Sequence, residues 1–158
     1  PPFFFQAEDG IRDWSPSRWL GDVYKRQQQD ALPMIAWMLL FSNLLWTVAY
    51  DTMYAMSDRP DDEKAGIKST AVLIGPYDLI FNAGFQAAAL VVMLFVGLAL
   101  EFGMWFYAGL LAAGGTAIYQ NRLCKDRDRD LCLKAFLNNT WFGAAIFAGI
   151  VMAYLTKA

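Results

Sequence analysis

Four uncharged, largely apolar stretches organise the chain: Ala31–Tyr50, Leu79–Leu100, Phe102–Asn121 and Ala135–Thr156. Each holds about 20 residues, the length at which an α-helix crosses a ~30 Å hydrocarbon layer. A chain of 158 residues has no interior large enough to bury four such helices. The pattern therefore predicts an all-α fold, a bundle of four transmembrane helices.

Local signals set the expected boundaries. The first span starts near Ala31, with Pro33 tolerable in its opening turn, and its helical pattern continues to about Ser57. Pro60 lacks a backbone donor and crowds the preceding turn, so a stop or kink is expected near Arg59. A polar loop should then run to about Ile67, followed by a short apolar helix over Ser69–Ile74 that Gly75-Pro76 interrupts. The second span follows Asp78, and a tight turn at Glu101-Phe102-Gly103 should pack it antiparallel to the third. Gly114-Gly115 would admit a close neighbour to the third span.

Composition agrees with a membrane solvent. The chain is 57% hydrophobic and 18% charged, against about a quarter charged in soluble domains. Net charge is -2, which gives the chain no nucleic-acid signature. Arg59, Lys64 and Lys68 fall between the first and second stretches, and Arg122, Lys125, Arg127, Arg129 and Lys134 between the third and fourth. The link between stretches two and three carries only Glu101. Basic loops stay cytoplasmic, so both basic loops are expected inside and Glu101 outside, as in a bacterial inner membrane. The segment Lys125–Asp130 alternates in sign and reads as a solvated, self-neutralising loop. Cys124 and Cys132 lack zinc-site spacing and read as small, partly buried side chains. No histidine is present, which excludes imidazole catalysis and histidine-ligated metals.

Residues 1–27 do not match the rest. Pro1–Asp13 is too short and interrupted for a signal peptide or a span. This stretch and Ser17–Gln27 both resemble translated sequencing-adapter DNA. Native sequence is expected from about Gln28, with residues 28–158 forming the C-terminal part of a longer membrane domain.

The candidate chemistry follows the first stretch. Five acids fall within thirteen residues: Asp51, Asp58, Asp61, Asp62 and Glu63. At about 100° per residue, Asp51, Tyr54 and Asp58 share a helix face, and Asp62 joins them if the helix continues past Pro60. Mg²⁺ takes one or two carboxylates and completes its shell with water and phosphate oxygens. An Asp-x-x-x-Asp pair such as Asp58/Asp62 suits that role. Arg59 and Lys68 are the best placed bases for diphosphate oxygens. A merely solvated acidic loop is the competing reading, and Asp51 beside a membrane span weighs against it.

The segment Tyr50-Asp51-Thr52-x-Tyr54-Ala55-Met56-x-Asp58-Arg59-x-Asp61-Asp62, followed by Gly66-Ile67-Lys68-Ser69-Thr70-Ala71, resembles the second aspartate-rich motif of UbiA-type intramembrane prenyltransferases. Asp58, Asp62 and Gly66 match the superfamily pattern Asp-x-x-x-Asp-x-x-x-Gly. The flanks are most similar to the branch acting on 4-hydroxybenzoate in ubiquinone biosynthesis. The resemblance runs from about Gln28 to the C-terminus, through Lys134-Ala135-Phe136-Leu137-Asn138-Asn139. It implies a helical bundle of nine spans, in which two aspartate-rich motifs hold Mg²⁺ and a polyprenyl diphosphate across a central cavity. Diphosphate leaves, and the ring of 4-hydroxybenzoate attacks the allylic cation. Asp58 and Asp62 would be metal and diphosphate ligands, Asp51 and Tyr54 active-site lining, and Lys68 a neighbour of the diphosphate. The first motif, Asn-Asp-x-x-Asp-x-x-x-Asp, is absent, so this polypeptide alone is expected to be inactive.

Two other readings stay open: a prenyltransferase of the same superfamily with another acceptor (haem, naphthoate or homogentisate), and a small four-span membrane protein that binds cations without catalysis. Asn138 and Asn139 are expected to form interhelical hydrogen bonds rather than line a cavity. Met104-Trp105-Phe106-Tyr107 is expected at the outer interface as an aromatic belt.

Overall fold

A computed structural model describes residues 33–156, so the expectation for residues 1–27 lies outside the described residues. The described residues are all helical in their regular structure. The elements in order are α1 (Met34–Ala65), α2 (Thr70–Ile74), a 3₁₀ turn (Gly75–Tyr77), α3 (Asp78–Ala99), α4 (Met104–Leu123) and α5 (Arg129–Leu155). Among the described residues, three helical segments are long and apolar enough to cross a membrane: Met34–Ala65, Thr70–Ala99 and Arg129–Leu155. The helix α4, expected as a fourth span, forms over 20 residues but is not among them. Its glycines and its polar end, Gln120-Asn121-Arg122, dilute its apolar character.

At Pro60, where a stop or kink is expected, α1 does not stop but continues to Ala65. Proline removes one donor and one hydrogen bond from the helix. Ties on both sides of Pro60 offset that loss: Arg59 bonds Glu63 one turn on at 2.9 Å, and Arg129 bonds Asp61 at 2.8 Å. The helix ends where Gly66 turns left-handed at φ +70°, a conformation only glycine adopts without strain. There the Ile67 amide donates to the Asp62 carbonyl at 2.9 Å. Gly75, at φ +62°, likewise ends the short helix α2 as expected.

The turn Glu101-Phe102-Gly103 joins α3 and α4 as antiparallel neighbours. The tightest helix approach is not at Gly114-Gly115, where a methyl group would meet nothing closer than Leu90 at 3.8 Å. It lies between α4 and α5. A Cβ on Gly109 would stand 2.7 Å from the Ala145 carbonyl oxygen and 2.9 Å from the Gly149 Cα. Absent side chains thus set the spacing of these two helices. Nearby, Phe106 is fully buried against the face of Gly97. It is a core residue rather than part of an aromatic belt, while Met104 and Trp105 remain exposed.

Polar side chains bridge the helices within the apolar segments. Ser42 of α1 donates to the Ala89 carbonyl of α3 at 3.1 Å, and the Trp46 indole donates to Asn139 of α5 at 3.1 Å. Gln86 donates to Gln120 at 2.7 Å, Asn121 to Gln86 at 2.6 Å and Asn82 to Asn121 at 3.0 Å. Gln120 reaches Asn138 at 3.5 Å. The asparagines of α5 therefore serve as interhelical partners, as expected. Cys124 and Cys132 are both buried and free, in a cluster with Met53, Met56 and Ala135.

Candidate functional site

The uninterrupted α1 decides the geometry of the acidic cluster. Relative to Asp51, a regular helix places Tyr54, Asp58 and Asp62 at about -60°, -20° and +20°. All four lie on a strip about 80° wide and roughly 16 Å long. Their environment grades along the strip: Asp51 is exposed, and Asp58 and Asp62 are half-buried. The Tyr54 hydroxyl lies beside the Asp58 carboxylate, close enough to Asp62 to feel its charge. The Tyr54 ring packs on Phe136 of α5 at 5.4 Å, and Phe136 also meets Tyr50 at 6.1 Å. Phe136 thus borders the strip from the neighbouring helix.

The donor chemistry of the strip, carboxylate oxygen, is the kind a hard divalent cation accepts. Asp58 and Asp62 offer oxygen ligands one turn apart on an accessible face. Among the described residues no third His, Cys, Asp or Glu completes a ligand group with them. Two carboxylates with the remaining positions left to water and phosphate is the arrangement Mg²⁺ commonly accepts. Any second set of protein ligands would have to come from outside the described residues.

The bases are placed less simply. Lys68 is exposed beyond the Gly66 turn, and no ion pair involves it among the described residues. Arg59 is already engaged: its Nε bonds Glu63 at 2.9 Å, and its Nη1 lies 3.4 Å from both the Gly75 carbonyl and the Asp78 carboxylate. It sits on the flank of α1, about 60° around the helix from Asp62.

Four residues of this region take roles that their sequence positions do not mark: Asp78, Arg127, Asp128 and Arg129. Asp78, at the start of α3, is completely buried. Its carboxylate accepts from Arg127 in a forked arrangement, Nε at 3.0 Å from Oδ2 and Nη2 at 2.8 Å from Oδ1. Arg127 also donates to the Pro76 carbonyl at 2.9 Å. Its backbone is left-handed, φ +53°, which is uncommon for a residue with a side chain. Hydrogen bonding to Asp78 pushes the Arg127 pKa up, with burial opposing it. One residue on, the Asp128 side chain caps α5 by accepting from the Leu131 amide at 2.9 Å. The cap aims Arg129 back at α1, where it meets Asp61 at 2.8 Å and Asp58 at 3.6 Å. The 125–130 segment is therefore not a self-neutralising loop. Its arginines pair with acids 49 and 68 residues away in sequence. The alternation of charge was visible, but the partners were not, because pairing at that separation depends on how the helices pack.

A groove of about 490 Å³ lies elsewhere, between α3 and α4, and shares no wall with the aspartate strip.

An all-helical chain with membrane-length helices carries a carboxylate strip at the polar end of one of them. By sequence, residues 19–151 match the UbiA prenyltransferase family, and the chain belongs to that family. It is 48% identical over 128 residues to a 4-hydroxybenzoate octaprenyltransferase of Aeromonas salmonicida, covering 81% of this chain and 44% of that protein. It is 50% identical over 127 residues to one of Thiobacillus denitrificans (80% and 43%) and 51% identical over 123 residues to one of Pseudomonas fluorescens (78% and 42%). The chain thus spans less than half the length of these relatives. No solved structure matches it.

Proposed function

We propose that the chain is the C-terminal part of an integral membrane enzyme that transfers a polyprenyl group from its diphosphate to the ring of 4-hydroxybenzoate, in ubiquinone biosynthesis. Support comes from the family membership, from relatives of that printed name, and above all from one observation: α1 runs unbroken past Pro60 and so sets Asp58 and Asp62 one turn apart on an accessible face. In this reading Asp58 and Asp62 hold Mg²⁺, which supplies positive charge to the departing diphosphate. Asp51 and Tyr54 line the site beside them. Tyr54 stands one turn before Asp58 on the strip, its ring packed on Phe136. Lys68, free to extend, is a diphosphate contact. Arg59 reaches the diphosphate only by leaving Glu63 or Asp78.

The facing half of the site would belong to an upstream segment, as the motif pattern implies, and the present chain alone is inactive. The aspartate strip and the basic turn 122–129 would face the cytoplasm of a bacterial inner membrane. A full-length version, with residues 28–158 joined in register to the upstream half of the Aeromonas salmonicida relative, tests the reading. It should convert 4-hydroxybenzoate and a polyprenyl diphosphate to the prenylated acid. Asp58→Ala or Asp62→Ala should reduce turnover at least a hundredfold, a loss of more than about 2.7 kcal/mol in transition-state stabilisation. Full activity in either variant would refute the ligand assignment.

A further inference from the structure

The geometry points to Arg129 as the resident counter-ion of the aspartate strip, exchanging its carboxylate partners for diphosphate when cation and substrate arrive. The inference rests on the prenyl-transfer reading above, and adds to it a residue that neither the motif nor the composition marks.

Three observations carry it. First, Arg129 is the one base from another helix whose ion pairs reach this cluster among the described residues, at 3.6 Å from Asp58 and 2.8 Å from Asp61. It is more than half exposed (57%), so the pairing is screened and readily exchanged. Second, its backbone is not free to wander. The preceding turn is held by the forked Arg127–Asp78 pair, whose carboxylate is fully buried, and by the Arg127 bond to the Pro76 carbonyl. The Asp128 cap then fixes the first turn of α5. A rigid base carrying a mobile guanidinium suits a group that must change partners without a loop movement. Third, seven residues along the same face of α5, Phe136 packs on Tyr54, which keeps α5 in register beside the strip.

A divalent cation on Asp58 and an arginine on Asp58 compete for one carboxylate. Once the cation is seated with a diphosphate, the displaced guanidinium faces new phosphate oxygens, which it can bind through two parallel hydrogen bonds. Arg129 therefore opposes cation binding in the empty site and favours diphosphate binding in the loaded one. A residue with only a structural role cannot produce opposite signs in those two measurements.

The test uses the full-length version in detergent, with free Mn²⁺ followed by electron paramagnetic resonance and inorganic pyrophosphate as the second ligand. Thermal melts confirm that each variant is folded. Arg129→Gln should tighten Mn²⁺ binding without pyrophosphate, roughly two- to fivefold, the size of a part-exposed ion pair. It should weaken pyrophosphate binding in the presence of Mn²⁺ by about tenfold. Arg129→Lys, which keeps the charge but not the fork, should restore the first quantity and only part of the second. If Arg129→Gln leaves both affinities unchanged, or lowers both together, the counter-ion role is wrong. If Asp58→Asn leaves Mn²⁺ binding of the parent unaltered, the cation site itself is wrong, and the counter-ion falls with it. Unaltered Arg129→Gln beside a sensitive Asp58→Asn would sink the counter-ion alone.

Discussion

Arg127 and Arg129 stand two residues apart, yet the acids they pair with live in opposite worlds. Asp78 is fully buried and receives a forked guanidinium from Arg127 with a second, longer contact from Arg59. Asp58 keeps about a third of its side chain in solvent and has one arginine at 3.6 Å. A buried carboxylate has to be matched almost completely, because an unpaired charge in a low-dielectric site is very costly. A carboxylate left half open and loosely paired retains coordination capacity for something else. Partnering, more than the presence of charge, separates the buried acid from the accessible ones.

The sharpest way to break that contrast is to exchange the consequences of removing each acid. Asp58→Ala or Asp62→Ala in the full-length version should abolish transfer while shifting stability by no more than about 0.5 kcal/mol, the usual range for an accessible position. Asp78→Ala should do the reverse at first order. It leaves Arg127 and Arg59 without their shared partner and lets the left-handed turn relax, costing about 2–3 kcal/mol in a reversible denaturant titration, below the full buried-pair penalty because the arginines can rehydrate. Equal stability losses at Asp58 and Asp78 would erase the distinction.

The lock on the turn also depends on α4 and α5 keeping their spacing. Gly109→Val places atoms where Ala145 and Gly149 backbone already stand, and should cost about 2 kcal/mol by the same titration. Gly115→Ala meets nothing within 4 Å and should be neutral or stabilising by up to about 1 kcal/mol. The smallest effect concerns Cys124, beside the same turn. A hydrogen bond with Cys132, and then burial, push its thiol well above the ordinary range. Because the thiolate is the reactive form, iodoacetamide at pH 8 should label Cys124 only after denaturation, and Asp78→Ala should make it accessible by loosening the turn. Mass spectrometry of the labelled peptide reads both.

Much of this was legible from residue order. The helices, the short α2 with its glycine stop and the tight 101–103 turn all follow from local signals that act within a few residues. The errors share a cause. Pro60 predicts a stop or kink, and the stop does not occur, with contacts from Arg59 and Arg129 flanking the proline. Gly66, recognised only as a motif position, is the left-handed residue that ends that helix instead. Gly114-Gly115 looked like the close crossing, yet Gly109 and Gly149 make it, because which face of α4 meets α5 is a matter of rotation about the axis that composition does not encode. The pairing of Asp78 with Arg127 is hidden for the same reason: two unremarkable charges become a lock only when the fold brings them together.

One measurement bears most directly on the aspartate strip. Mn²⁺ bound to the full-length version with a non-hydrolysable polyprenyl diphosphate should show phosphorus hyperfine coupling by electron–nuclear double resonance. That coupling should disappear in Asp58→Asn and Asp62→Asn and persist in Asp78→Asn. Undiminished coupling in the first two variants would mean that these carboxylates hold neither the cation nor the diphosphate.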